Sequence, residues 1–164
     1  MNSLLVDFNN IAVSKLFSKN VMNKEGYEVS DVDYNIWEQE VFSAIYSYFK
    51  KYRSTNEVVL AVDSSISWRK VFFPRYKAHR KKTKDKFNID WGEYNRVFDN
   101  FIEDLKNYFP FKVIRTKYAE GDDVIGAIAL SDKNKNYVII SSDHDYMQLC
   151  RKGVRLFSIK KQTI

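Results

Sequence analysis

The 164-residue sequence has little cysteine, no long apolar run, no internal repeat and no low-complexity segment. Its one cysteine, Cys150, excludes an internal disulfide and is typical of a reducing compartment. The absence of a long apolar run argues against a membrane span, and the first residues lack the charged-then-apolar pattern of a secretory signal. We therefore expect a cytoplasmic protein with no membrane partner.

What the sequence does contain is a large apolar fraction and an excess of positive charge. Hydrophobic residues make up 45% of the chain and aromatic residues 16%, which is enough to build a core. We expect one domain spanning residues 1–164. The 27 lysines and arginines exceed the 21 acids, so the formal net charge is +6. This excess favours a polyanionic partner such as nucleic acid.

Seven acids lie at positions where ordinary folding would not gather so many. Buried strands are predicted over residues 4–6, 58–62 and 137–140, and an aspartate follows each of them. Because the carboxyl ends of parallel strands meet at one edge of a sheet, we expect these acids to converge. The candidate metal ligands are Asp7, Asp63, Glu120, Asp122, Asp123, Asp143 and Asp145.

Metal binding is the favoured interpretation of this acid cluster. Carboxylates packed together repel one another, and the cations that suit hard oxygen ligands are Mg²⁺ and Mn²⁺. The alternative for the acids of residues 120–123 is that they cap a helix N-terminus and meet its dipole. Capping explains one or two acids more readily than three, so we favour metal binding. His144 lies between two candidate ligands, and we expect it at the surface, outside the site.

The order of apolar patterns alternates strands with helices, which predicts a parallel sheet covered by helices. Helical spacing is found over residues 35–52 and 91–108, and another helix is predicted to start at the acids of residues 120–123. Further strands are predicted over residues 112–115 and 154–158. Residues 9–34 are polar and are predicted to be irregular.

A basic segment at about residues 65–90, here called the arch, separates the second strand from the helix that follows. Between residues 68 and 86 its cations are opposed by a single acid, Asp85, and are interleaved with aromatic residues. Such a segment can neutralise phosphates and stack on bases, which suits single-stranded nucleic acid. The alternative is a solvated basic helix pair whose aromatic rings belong to the core. The candidate nucleic-acid-binding residues are Arg69, Lys70, Arg75, Tyr76, Lys77, Arg80, Lys81 and Lys82.

These ordered motifs resemble the structure-specific 5′ nucleases. That family includes flap endonucleases, the 5′-nuclease domains of bacterial DNA polymerases, and the phage 5′ to 3′ exonucleases that are called RNase H in T-even phages. The similarity covers essentially the whole chain. The matching motifs are Leu5-Val6-Asp7-Phe8, Ala61-Val62-Asp63, Trp68-Arg69, Tyr76-Lys77, Asp90-Trp91, Tyr118-Ala119-Glu120 and Ile140-Ser141-Ser142-Asp143-His144-Asp145.

The resemblance implies a PIN-like α/β domain of three layers, with a central, mainly parallel sheet flanked by helices and a basic helical arch. It implies hydrolysis of phosphodiester bonds near a 5′ end with two divalent ions, Mg²⁺ or Mn²⁺. The residues that correspond to ligands of the first ion are Asp7, Asp63, Glu120 and Asp122, with Asp123 in its outer shell; those of the second ion are Asp143 and Asp145. Lys77 and Arg80 resemble the catalytic arch residues that contact the scissile phosphate, and generic phosphate binding is the alternative for Lys77.

The resemblance departs at Gln162-Thr163-Ile164, where relatives continue into a helical region. That region normally supplies further acids for the second ion and a helix-hairpin-helix element that grips duplex DNA. We expect both to be absent, which would weaken the second metal site and duplex binding. A truncated fragment, a split-gene product completed by a partner chain and a minimal nuclease are the open alternatives.

The leading hypothesis is a 5′ to 3′ exonuclease or flap endonuclease that acts during replication in a bacterial or phage-infected cell. Its expected partners are DNA with a 5′ end or flap, RNA–DNA hybrids, replication proteins and a C-terminal partner chain. The alternatives are a non-catalytic nucleic-acid-binding module and a stand-alone PIN-type ribonuclease.

Overall fold

The computed structural model describes residues 2–18, 21, 32–52, 55–78, 80, 87 and 89–158. The predicted binding residues Lys81 and Lys82 lie outside these ranges. The described elements, in chain order, are β1 (Asn2–Asp7), α1 (Phe8–Leu16), α2 (Tyr34–Lys51), β2 (Thr55–Ala61), α3 (Trp68–Phe72), α4 (Trp91–Tyr108), β3 (Lys112–Ile114), α5 (Gly121–Ser131), β4 (Asn136–Ile140), a 3₁₀-helix (His144–Leu149) and β5 (Val154–Phe157).

The five described strands form one sheet in the order β3-β2-β1-β4-β5, and every neighbouring pair is parallel. This confirms the predicted α/β class with a parallel sheet. Strand β1 is central, with Leu5 opposite Val59 of β2 on one side and Ile139 of β4 on the other. The carboxyl ends of β1, β2 and β4 therefore meet at the middle of one edge of the sheet.

Helices cover both faces of the sheet and give the expected three layers. On one face, Leu4 and Val6 belong to a core shared with α1, α2 and α4. On the other face, Leu5 packs in a second core with Ile125 of α5 and with Tyr146. Because both faces of the strands are buried, β1, β2 and β4 read as continuous apolar runs rather than as an alternation of apolar and polar residues.

The two long helices agree with the predicted periodicity. Helix α4 has the predicted bounds, and α2 begins and ends one residue before its predicted range. The Asp90 side chain caps α4 by accepting hydrogen bonds from the backbone N–H groups of Gly92 and Glu93, at 2.8 and 3.0 Å. Across the described residues, no helix combines the length and the apolarity needed to cross a bilayer.

The prediction that the chain is irregular from residue 9 was wrong for its first part, because Phe8–Leu16 is helix α1. Phe8, Ile11 and Leu16 are buried on one side of this helix, against the sheet. Asp7 is its N-cap and accepts a hydrogen bond from the Asn10 backbone N–H at 3.1 Å. Two asparagines in the first turn give a weak helix propensity, and tertiary packing overrides it.

The carboxyl ends of the five strands lie within one residue of prediction. Asp7 is the last residue of β1, whereas Asp63 and Asp143 lie two and three residues beyond the ends of β2 and β4. Strands β3 and β5 each end one residue earlier than predicted. The short loops after β2 and β4 therefore matter, because they set where two of the three strand-end acids lie.

Candidate functional site

A cleft of about 780 Å³ opens at the carboxyl edge of the sheet. Its walls contain five of the seven predicted acids and both predicted catalytic cations. These lining residues are Asp7, Asp63, Glu120, Asp122, Asp143, Lys77 and Arg80. Asp123 and Asp145 are not among the lining residues. The fold thus brings acids from four separate segments, and cations from a fifth, around one cavity.

Asp7 is a half-buried acid of the cleft. Its Oδ2 accepts hydrogen bonds from Ser141 Oγ at 2.8 Å and from Tyr146 Oη at 3.3 Å. Burial raises the pKa of Asp7 to about 6, and the charge of Asp63 acts in the same direction, while the hydrogen bonds from Ser141 and Asn10 oppose the shift. Keeping Asp7 ionised at neutral pH therefore costs free energy, which a nearby cation would offset.

Two asparagines at the start of α1 hold the loops that carry Asp63 and Asp143. Asn9 Oδ1 accepts the backbone N–H of Asp63 at 2.8 Å, and Asn10 Oδ1 accepts that of Ser142 at 3.0 Å. Both asparagines also line the cleft. Sequence reasoning missed them because it assigned this stretch to a polar loop. The available signal was a pair of side-chain amides directly after a strand-end acid.

Helix α5 starts against the end of β2. The Gly121 backbone N–H donates to Asp63 Oδ1 at 2.7 Å, so the helix N-terminus orients this carboxylate. A Cβ atom at Gly121 would lie 3.2 Å from the Ala61 carbonyl oxygen and 3.2 Å from Asp63 Oδ1. Glycine suits this position because a Cβ atom would be crowded by both oxygens.

Asp122 presents a carboxylate oxygen with incomplete bonding. Its Oδ1 is buried and accepts no hydrogen bond from the described residues, and it lies 3.6 Å from Arg69 Nη1. Burial raises the pKa of Asp122, and the charge of Arg69 opposes that shift. A buried oxygen with spare lone pairs in an acidic cleft is a suitable ligand for a cation.

Glu120 is held by three side chains of the arch. It is only 7% exposed, and its carboxylate accepts hydrogen bonds from Lys77 Nζ at 3.0 Å, Tyr76 Oη at 2.9 Å and Arg69 Nη1 at 3.1 Å. Burial disfavours the charged form of Lys77, but its hydrogen bonds to Glu120 and Tyr76 outweigh that effect, so the pKa of Lys77 is raised. Lys77 also has a positive φ of 53°.

Asp123 faces the arch instead of the cleft. Its two oxygens accept hydrogen bonds from Arg69 Nη1 and Nη2, both at 2.8 Å. Trp68 Nε1 and the Glu120 backbone N–H also donate to Asp123 Oδ2, at 3.2 and 2.9 Å. Burial raises the pKa of Asp123, but the bonds from Arg69 outweigh burial and leave that pKa lowered.

Most of the described part of the arch is open to solvent. Lys70, Arg75 and Arg80 are exposed, while Tyr76 and Lys77 are half-buried in their bonds to Glu120. The rings of Trp68, Phe72 and Phe73 are 45%, 82% and 60% exposed, so the alternative that placed them in the core was wrong. The arch therefore displays cations and aromatic rings side by side.

Asp143 and Asp145 occupy the rim after β4. Asp143 caps the 3₁₀-helix by accepting the Asp145 backbone N–H at 2.9 Å. Both acids are exposed, and His144 between them is exposed as expected. Asp143 reaches the cleft from this position, whereas Asp145 does not line it.

The acids of the cleft fit a divalent cation by their chemistry, although they are not drawn together around one point. Among the described residues, no three Asp, Glu, His or Cys side chains converge closely enough to surround a single ion. Arg69 and Lys77 lie beside Glu120 instead. The donors are nonetheless all carboxylates, and Asp122 Oδ1 has no hydrogen bond from the described chain.

Comparisons with known proteins identify the family and the fold of the chain. Residues 2–164 match the family described as 5′-3′ exonuclease, N-terminal resolvase-like domain. Ribonuclease H from Enterobacteria phage T4 is 32% identical over 151 residues, a match that covers 88% of this chain and 48% of that protein. The chain therefore spans about half the length of this curated relative.

Two solved structures of the phage T5 D15 protein share the fold. One was co-crystallised with metal ions; its TM-score is 0.71 at 21% identity, and the match covers 99% of this chain and 56% of that one. The other is a D15 flap endonuclease pseudo-enzyme–product complex with DNA and metal ions, with a TM-score of 0.69 at 19% identity and the same coverage. At these identities, the likeness establishes the fold.

Proposed function

The chain belongs to the 5′-3′ exonuclease family defined by the N-terminal resolvase-like domain, and on that basis we propose that it hydrolyses phosphodiester bonds at the 5′ ends or flaps of DNA. The cleft carries this proposal. It combines five carboxylates at the carboxyl edge of the sheet with Lys77 and Arg80 of the arch. Carboxylates that hold metal ions, next to basic side chains that hold phosphate, are what hydrolysis of a polyanion requires.

We propose that Mg²⁺ or Mn²⁺ is held by four acids, Asp7, Asp63, Glu120 and Asp122, with Asp123 remaining a candidate for the outer shell. When bound, such ions supply Lewis acidity to the phosphate and activate water for attack. Metal ions in the related D15 structure support the presence of a divalent ion, and the assignment to these four acids rests on the cleft of this chain. Asp143 and Asp145 are proposed for a second ion, and their exposure at the rim favours weak binding there.

The arch is proposed to bind and orient the substrate. Lys77 and Arg80 line the cleft, where a positive charge stabilises the charge that develops on phosphoryl oxygens. The exposed Lys70 and Arg75 suit contacts with other phosphates, and the exposed rings of Phe72 and Phe73 suit base stacking. Lys81 and Lys82 remain proposed phosphate contacts from the sequence. DNA in the second D15 complex supports this role.

The wider setting of the enzyme is also a proposal. RNA of RNA–DNA hybrids is a proposed second substrate, because a relative is named ribonuclease H. Relatives from phages and bacteria favour the cytoplasm of a bacterial or phage-infected cell. We retain residues 1–164 as one catalytic domain with its arch at about 65–90. A C-terminal partner chain and replication proteins are further proposed partners.

A non-catalytic nucleic-acid-binding module is the second candidate function. One observation favours it: Glu120 is already neutralised by Lys77 and Arg69, and no three described acids surround a common point. In that case the arch would bind strands, and the cleft would not be able to recruit an ion.

Cleavage of a 5′-flap DNA and of a nicked RNA–DNA hybrid with Mg²⁺, Mn²⁺ or EDTA distinguishes the two functions. We expect metal-dependent products that are absent with Asp122→Asn, which serves as the control for a contaminating nuclease. Glu103→Gln, an acid-to-amide change on the exposed surface of α4, is the matched control and should cleave like the unaltered chain. Absence of products with salt-sensitive DNA binding retained would favour the binding module.

A further inference from the structure

We propose that Arg69 and Asp123 form one positioning unit that docks the base of the arch onto the start of α5. This inference rests on the proposed function. It gives neither residue a direct contact with the substrate or the metal. Arg69 then does not bind phosphate, and Asp123 does not bind the metal. Their shared task is to place Lys77 and Glu120.

The bonding of Asp123 is the first support. Arg69 engages both of its oxygens in a two-pronged pair, at 2.8 Å each, and Trp68 Nε1 and the Glu120 backbone N–H fill Oδ2 further. These four bonds turn the carboxylate towards the arch and away from the cleft lining. Asp122 has the opposite character, because its buried Oδ1 accepts no hydrogen bond from the described residues. The bonding of these two neighbouring acids therefore suits Asp122 to metal binding and Asp123 to holding the arch.

The surroundings of Arg69 are the second support. Its guanidinium lies 4.8 Å from the centre of the Trp68 ring and 5.9 Å from that of Tyr76. Its side chain is 25% exposed, and its donors are directed at Asp123 and Glu120. A planar, two-pronged donor is used where geometry must be fixed. Lys70, the next residue, is exposed and is the better candidate for a phosphate contact.

The backbone supplies the third support. The Trp68 N–H donates to the Tyr118 carbonyl oxygen at 2.8 Å, and the Ser64 N–H donates to that of Ala119 at 2.9 Å. These bonds fasten the start of α3 to the residues just before Glu120. Arg69 and Asp123 lie across the same junction. Loss of their pairing would therefore shift Lys77 relative to the carboxylate that it contacts.

A double-mutant cycle tests whether the two residues act as one unit. We expect Asp123→Asn and Arg69→Gln each to lower kcat on a 5′-flap DNA by about 10- to 100-fold, since small misplacements of reacting groups have effects of this size. The double variant should be no slower than the slower single variant. Losses that multiply would overturn the proposal, because separate metal and phosphate roles add in free energy. Arg69→Lys keeps the charge but cannot donate the two parallel hydrogen bonds of a guanidinium. Full activity in this variant would also overturn the proposal.

Two binding measurements need no catalysis. Mn²⁺ binding, followed by electron paramagnetic resonance, should change by less than about twofold in Asp123→Asn and weaken by at least tenfold in Asp122→Asn. Equal weakening in both would overturn the proposal. The salt dependence of single-stranded DNA binding should keep its slope in Arg69→Gln and lose about 0.7 of a log-log unit in Lys70→Gln. A slope lowered in Arg69→Gln would assign that residue to phosphate.

Two controls separate this inference from the proposed function. Glu103→Gln with Lys106→Gln removes an exposed ion pair of α4 and should change none of these readouts. If the unaltered chain cleaves no substrate, the proposed function fails, while Mn²⁺ binding and the salt slope still decide the roles of Asp123 and Arg69. Circular dichroism melting shows that each variant is folded before it is assayed.

Discussion

The two walls of the cleft are built in different ways. The sheet wall carries Asp7 and Asp63 at the ends of strands whose residues, such as Leu5 and Leu60, are fully buried. The arch wall carries Lys77 and rests on α3, a helix with no buried residue. Strand pairing, apolar burial and hydrogen bonds with uncharged groups fix the acids of the sheet wall, whereas ion pairs fix the arch.

This difference indicates how each wall will respond to its environment. Apolar burial and strand pairing are little affected by salt, so the acids should keep their positions across ionic strength. Ion pairs at a partly exposed junction weaken with salt and exchange readily with other ions. The acids are therefore the fixed part of the site, and the arch is the part that adjusts when a metal or a phosphate arrives.

The largest expected effect comes from a substitution in the sheet wall that removes a charge and leaves the structure of the wall intact. Asp63→Asn keeps an oxygen that can accept the Gly121 N–H but removes the charge that would hold an ion. We expect kcat on a 5′-flap DNA to fall at least ~10³-fold, because the lost metal contribution amounts to several kcal/mol. Thermal unfolding should be nearly unchanged. Activity within tenfold of the unaltered chain would remove Asp63 from the metal site.

The next effect concerns the cost of the buried charge at Asp7. Its folded pKa of about 6 lies above its ordinary value, so the stability associated with protonated Asp7 is complete below about pH 4 and is lost as pH rises through 6. That loss amounts to about 3 kcal/mol. Asp7→Asn should remove this pH dependence, as measured by urea unfolding in EDTA from pH 4 to 8. Parallel curves for the two proteins would contradict the prediction.

A third prediction addresses the arch wall through Lys77. Lys77→Gln should lower kcat by about 10²-fold, because a cation placed at the developing phosphoryl charge is lost. The same variant frees Glu120 from its closest cation and should tighten Mn²⁺ binding. Lys106→Gln, on exposed α4, is the matched control for removal of a lysine. Weaker Mn²⁺ binding in Lys77→Gln would show that the arch supports the ion instead of competing with it.

The smallest expected effect comes from an asparagine that holds a loop of the sheet wall. Asn10→Ala leaves the Ser142 N–H without its acceptor and should cost about 1–2 kcal/mol of unfolding free energy. Activity should fall as well, because the loop that carries Asp143 loses an anchor. Asn95→Ala, an exposed asparagine that also lines the cleft, should leave stability within about 0.5 kcal/mol. Equal losses of unfolding free energy in both variants would show that Asn10 has no specific role in holding the loop.

The parts of the structure that follow from periodicity were predictable from the sequence. The bounds of α4 and the runs of β2 and β4 follow from long, regular apolar patterns. Helix α1 was not predicted, because it has only nine residues and because the interpretation of its N-cap, Asp7, as a metal ligand hid the capping role of that residue. Short helices depend on packing, which local sequence does not report.

For the site, the sequence indicated which residue types gather but not which atoms pair. The convergence of Asp7 and Asp63 follows from parallel topology. The pairing of Arg69 with Asp123 joins residues 54 positions apart, and no spacing rule selects that acid over Asp122. Sequence therefore predicted a cleft of acids and an arch of cations, while the contacts between them came from the structure.

The central place of β1 in the sheet has a consequence for the making of the protein. Its neighbour β4 begins only at Asn136, so at a synthesis rate of about 5–20 residues per second the first strand waits roughly 6 to 26 seconds for that partner. The bond from Ser141 to Asp7, across 134 positions, closes only then. Asp7 and Asp63 are therefore present in the nascent chain well before Glu120, Asp122 and Asp143 are made, and the cleft that these five acids line forms only after β4 has joined the sheet.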